Sequence, residues 1–241
     1  MSTTSFSSFC VAFLGAALLA AVPAHATSIT YTATGSGSDG ALSASAAFVT
    51  STGQLQVTLT NTLSASTIIS AGQALSDISF TLSNAAGTLG TTSATGQLGN
   101  VSGTGVVTYT SGTPNRFLGS GGTGLFSVTG NTIVMEAIGG GQPSQMIIPA
   151  MTNGGTYASV NNGFASFDPY TIGSATFLLN LSGVTSSTTI SNVTFSFGTG
   201  PDTFLPGTPS TPPVPEPSSL LMLGTGIAGA AGMLRRKFLA V

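Results

Sequence analysis

The stretch GQLQVTLTNT, residues Gly53–Thr62, alternates apolar and polar side chains without a break. Successive side chains of an extended strand point to opposite faces, so Leu55, Val57 and Leu59 share one side and Gln56, Thr58 and Thr60 the other. Such a strand must lay its apolar side on a core while its polar side meets solvent. The same two-residue period returns in LSDISFTLS (Leu75–Ser83), with Ile78, Phe80 and Leu82 inward and Asp77, Ser79 and Thr81 outward. It returns again in ISNVTFSFG (Ile190–Gly198), with Val193, Phe195 and Phe197 inward.

Further strands are expected at Ile29–Thr34, Leu42–Thr50, Gly105–Thr110, Leu125–Thr129, Thr132–Ile138, Gln145–Pro149 and Ala175–Leu181, separated by Gly, Asn, Ser and Pro clusters that read as turns. No window carries a helical 3.6-residue stripe. SDISFTL (Ser76–Leu82) and SNVTFSF (Ser191–Phe197) echo each other once, which is too little for a solenoid. The body between Thr27 and Leu205 is therefore expected to be all-β, an antiparallel β-sandwich of jelly-roll type.

Charged residues make up 4% of the 241-residue chain, with four Lys or Arg against six Asp or Glu. An average soluble protein carries about 25%. Nucleic acid is excluded as a partner, because Arg116 is the only base between Thr27 and Leu205 and phosphates would find no counter-charge.

The two ends differ from the body. MSTTSFSSFCVAFLGAALLAAVPAHA (Met1–Ala26) has an apolar core from about Phe9 to Val22 and closes on Ala24-His25-Ala26, the small-x-small pattern of a signal-peptidase site. Residues 1–26 read as a signal peptide, with signal peptidase cutting between Ala26 and Thr27. No Lys or Arg precedes the apolar run, and the alternative is a retained N-terminal anchor. Cleavage removes Cys10 and His25, the chain's only Cys and only His.

At the other end, six prolines fall in residues 206–217, a run expected to form an extended polyproline linker. Residues 218–234, SSLLMLGTGIAGAAGML, are uncharged. As a helix they would reach about 26 Å at about 1.5 Å per residue, just short of a hydrocarbon core of about 30 Å. Arg235, Arg236 and Lys237 open the basic tail, residues 235–241, and place that end in the cytoplasm with the body outside. Gly224-x-Gly226-x-x-Gly229 matches a dinucleotide-binding pattern by letter only, since a proline run precedes it instead of a strand. Gly224, Ala228 and Gly232 recur every four residues as a small-residue face for helix packing, or belong to a generic anchor.

Val214-Pro215-Glu216-Pro217, then a Gly- and Ala-rich apolar span, then Arg-Arg-Lys, resembles the PEP-CTERM sorting signal of Gram-negative bacteria. The same motif also goes under an ice-binding-protein C-terminal name. The resemblance covers Val214 to Phe238. It implies processing by exosortase, an integral-membrane cysteine transpeptidase that reads the Pro-Glu-Pro region, and delivery to the cell surface or the exopolysaccharide matrix of a biofilm.

For the body, chemistry is scarce. Five acids (Asp39, Asp77, Glu136, Asp168, Asp202) against Arg116 leave it at −4. Lacking His, Cys and Lys, it has no Ser-His-Asp triad, Cys nucleophile, Schiff base or usual zinc set, and no structural disulfide. No cofactor or metal is expected. Asp39, Asp168 and Asp202 sit in turn sequences, where Asp bonds its own nearby backbone. Glu136 shares a face with Val134 and Ile138; it is either a raised-pKa functional carboxylate or a residue of a half-solvated edge strand. A glycosidase needs a second carboxylate, and no spacing singles one out. The body is expected to be a non-catalytic surface or matrix module whose Ser and Thr rows offer hydrogen bonds to exopolysaccharide. The alternatives are a secreted carbohydrate-active enzyme and an ice- or surface-binding face.

Overall fold

A computed structural model of the chain describes residues 27–119, 125–200 and 203–210. They form thirteen strands in one hydrogen-bonded network: β1 (Thr27–Gly37), β2 (Gly40–Ser51), β3 (Gln54–Asn61), β4 (Leu75–Leu82), β5 (Leu89–Val101), β6 (Val107–Thr110), β7 (Leu125–Thr129), β8 (Thr132–Glu136), β9 (Ile147–Ile148), β10 (Tyr170–Leu181), β11 (Ile190–Phe197), β12 (Thr203–Pro206) and β13 (Thr208–Ser210). The fold is all-β and mostly antiparallel, as the alternation required. The pairing is a single connected sheet rather than two separate ones, and the short β9 runs parallel to β10.

The stretch around Gly53 behaves as its pattern dictates. Leu55, Val57 and Leu59 are fully buried on β3, and their neighbours Gln56, Thr58 and Thr60 are half-buried. Thr52 and Gly53 turn β2 into β3. Gly53 has φ +75°, a left-handed conformation that a side chain disfavours and a two-residue hairpin demands. From β3 the sheet continues through β10 on one side and through β2 and β1 on the other.

The path from β11 through β4, β9, β10, β3 and β2 to β1 is flanked by two pieces of one stretch, residues 203–210. β12 pairs with β11, and β13 pairs with β1. The crossing falls at Gly207, whose amide donates to Val193 O at 2.8 Å. A Cβ there would meet Phe195 at 3.0 Å and Val193 at 3.1 Å, so a larger residue would make these side chains give way. Strand pairing thus runs to Ser210, five residues beyond Leu205, where the sequence reading ends the body and begins the linker. Pro206 and Pro209 are accommodated because each stands in an outermost strand, where a missing N–H breaks no ladder.

The core lies between the β1–β2–β3–β10 side and the β11–β4–β8 side. Phe48 of β2 meets Phe80 of β4 edge to face, with centroids 4.9 Å apart, and Tyr31 of β1 packs on Phe48 at 6.0 Å. Each fully buried phenylalanine contributes about 2 kcal/mol from area alone. Tyr31 Oη donates to Ile190 O at 2.6 Å, which satisfies the hydroxyl and ties the two sides together.

A buried polar knot sits under the loop before β4. Gln73 Oε1 accepts from Ile69 N at 2.7 Å and Ser70 N at 3.3 Å, while its Nε2 donates to Ala41 O at 2.9 Å. Asn61 Nδ2 donates to Gln73 O at 2.9 Å and Ile147 O at 3.1 Å. These bonds supply partners to loop backbone that no strand reaches.

Candidate functional site

Glu136 is not on an edge strand. β8 runs between β4 and β7, paired antiparallel with each. Val134, Glu136 and Ile138 do share a face, as the alternation implied, and Glu136 is half-buried on it. The register then supplies what sequence spacing could not: Asp77 of β4 stands directly opposite Glu136.

Asp77 was expected on a solvated polar face. It lies on the outward side of β4, facing the same pocket as Ser79, but is only 7% exposed. β11 flanks β4 on its other side, and Ser196 is the partner of Asp77 there. Between Ser196↔Asp77 and Phe197↔Leu75 the register skips Ser76, a bulge of the kind that re-aims side chains. Ser76 Oγ donates to Asp77 Oδ2 at 3.2 Å and is also within 3.2 Å of Ser196 O.

Asp77 and Glu136 line a cavity of about 340 Å³ with Ser79, Thr194 and Ser196 as polar neighbours. Its apolar walls come from Val134, Ile138 and the 58%-exposed Phe204. Burial pushes the Asp77 carboxyl up to about 7; the Ser196 hydroxyl opposes the rise, Glu136 adds to it by like-charge repulsion, and Ser76 and the Ala137 backbone oppose it. Burial raises Glu136 as well. Asp77 Oδ1 and Ser196 Oγ, both buried, have no hydrogen-bond partner among the described residues. The help from Ser196 is therefore that of a nearby dipole and not of a well-formed bond.

The other acids are dispersed. Asp39 lies in the two-residue turn between β1 and β2, as its sequence suggested. Asp168 does not bond its local backbone: its Oδ1 accepts from Val101 N of β5 at 2.8 Å, and burial pushes its carboxyl up to about 6. Arg116 is buried, with Nη2 donating to Gln142 O at 2.5 Å. Among the described residues no three of His, Cys, Asp and Glu gather as a metal site.

Thr27, the expected first residue after cleavage, opens β1 opposite Thr50. Ala24, Ala26, Asp202, Val214, Pro215, Glu216, Pro217, Gly224, Ala228, Gly232, Arg235, Arg236 and Lys237 lie outside the described residues. Among the described residues no helix is long and apolar enough to cross a membrane.

Residues 213–237 match the family model of the PEP-CTERM protein-sorting motif. The chain thus carries a sorting signal of exported proteins that are processed at the membrane by exosortase-type machinery. The match spans the tail and leaves the sheet untouched. No curated protein and no solved structure matches the chain.

Proposed function

We propose that the chain is a cell-surface or exopolysaccharide-matrix protein of a Gram-negative bacterium, with a body that binds and does not catalyse. Its all-β body is released from a signal peptide and held by a transient C-terminal anchor until exosortase cuts the tail. The carrying observation is the PEP-CTERM motif at residues 213–237, which begins just past the last strand at Ser210. A permanent anchor has no need of a Pro-Glu-Pro sequence, whereas a transpeptidase needs an accessible extended backbone, which proline favours.

The test is the C-terminal mass of the protein in membrane, surface and medium fractions. Surface protein is expected to lack residues 220–241. Replacing Pro215, Glu216 and Pro217 with Ala should leave it inserted and uncut. Surface protein that still ends at Val241 would make the tail a plain anchor.

A secreted carbohydrate-active enzyme is the second reading, favoured by the opposition of Asp77 and Glu136. Glycan turnover that disappears in Glu136→Gln would establish it.

A further inference from the structure

We propose that the pocket between β4, β8 and β11 binds a small organic cation, a primary ammonium on an apolar stem, between the carboxylates of Asp77 and Glu136. Ser196 completes the hydrogen bonds of the ammonium, and Phe204 covers the stem.

Three observations lead there. Opposed residues of an antiparallel pair have Cβ atoms about 5 Å apart, so two carboxylates in register repel unless a cation or a proton sits between them. Among the described residues no base lines the pocket; Arg116 lies elsewhere, with Nη2 on Gln142 O. Second, Ser196 is 2% exposed and Asp77 7% exposed, yet Ser196 Oγ and Asp77 Oδ1 have no hydrogen-bond partner among the described residues. Buried polar atoms are paired in about nine cases of ten, and a ligand rich in N–H donors pairs these. Third, the cavity of about 340 Å³ is far larger than an ion and walled by Val134 and Ile138. Calcium requires about six to eight oxygens, which these walls do not supply. A neutral sugar would leave the proton on the pair as the only compensation. The exposed ring of Phe204 at the rim suits an alkylammonium, whose charge is attracted to an aromatic face and whose stem packs on it.

The titratable groups facing the bound cation are Asp77 from β4 and Glu136 from β8. Among the described residues β11 presents only Ser196 and Thr194, and β12 only Phe204. An ammonium favours both carboxylates ionised, so binding releases a proton near neutral pH and weakens in acid.

The inference rests on the reading of the body as a binding module. The sorting reading is decided by the tail mass alone, so the two can fail separately. The experiment follows methyl NMR signals of Val134 and Ile138 in the full-length chain in detergent. The probes are n-butylammonium, its neutral counterpart n-butanol, glucose and Ca²⁺, each at pH 8 and pH 5.5. Butylammonium is expected to shift these signals saturably at pH 8 and at least tenfold more tightly than butanol. Its affinity should fall at least tenfold at pH 5.5, and as much in Asp77→Asn and, independently, in Glu136→Gln. Equal binding of butanol, shifts from glucose or Ca²⁺ but not butylammonium, or unchanged affinity in either folded variant would overturn the proposal.

Discussion

Two outward surfaces of the same sheet treat their polar side chains in opposite ways. On β3, β10 and β5 the side chains bond one another across the strands. Thr58 and Thr176 share a hydrogen bond at 2.9 Å, Gln54 Nε2 donates to Asn180 Oδ1 at 3.2 Å, and Asn180 Nδ2 donates to Thr91 Oγ1 at 2.6 Å. On β4, β8 and β11 two carboxylates face each other and two buried oxygens have no partner among the described residues. The first surface is satisfied by its own residues. The second holds polarity at a cost to the fold, and such costs persist where a ligand or reaction uses them.

The contrast predicts substitutions of opposite sign. The larger effect belongs to Asp77→Asn. The Asp77 carboxyl rises from 3.8 to about 7 on folding, so the folded chain holds a proton that the unfolded chain releases. Its contribution to stability is complete below pH 3.8 and is lost as pH rises through about 7. At about 1.4 kcal/mol per unit, the loss is on the order of 4 kcal/mol at most. Urea denaturation should find Asp77→Asn more stable than the parent at pH 8 and little changed at pH 4. A variant less stable at pH 8 would mean that the carboxylate is already well partnered.

The smaller effect belongs to the other surface. Thr58→Val removes one half of the Thr58–Thr176 bond but keeps a β-branched side chain, and the half-buried Thr176 hydroxyl can turn to water. Denaturation should show a loss of about 0.5 kcal/mol, equal at pH 4 and pH 8. A pH-dependent loss would join the two surfaces electrostatically and dissolve the contrast.

The legible part of the fold was the part written in alternation. β3, β4 and β11 stand where apolar and polar residues take turns, and β7 spans Leu125–Thr129 as read. β5 was not legible because LGTTSATGQLGNV is mostly exposed and carries no apolar stripe; β10 and β6 hold it through backbone pairing. β12 and β13 were hidden by their prolines, whose usual meaning is a linker and whose place here is the border of the sheet. Of the pocket, the face of Glu136 could be read from Val134 and Ile138. Its partner could not, because the pairing of β4 with β8 joins residues 59 positions apart and no local period records it. The burial of Asp77 was equally hidden, since β11 and the walls of the cavity cover it from elsewhere in the chain. A signal was present in Ser76-Asp77, two polar residues between Leu75 and Ile78, where a break in alternation marks the bulge.

The most direct test of an unsatisfied carboxylate pair in the sheet is the titration of Asp77 itself. Carbon-detected NMR of its carboxyl, in the chain without added ligand, is predicted to show a midpoint near pH 7. In Glu136→Gln that midpoint should move down as the repulsion from its neighbour is removed. A midpoint near pH 4, unmoved by Glu136→Gln, would show a solvated, uncoupled carboxylate and contradict the account.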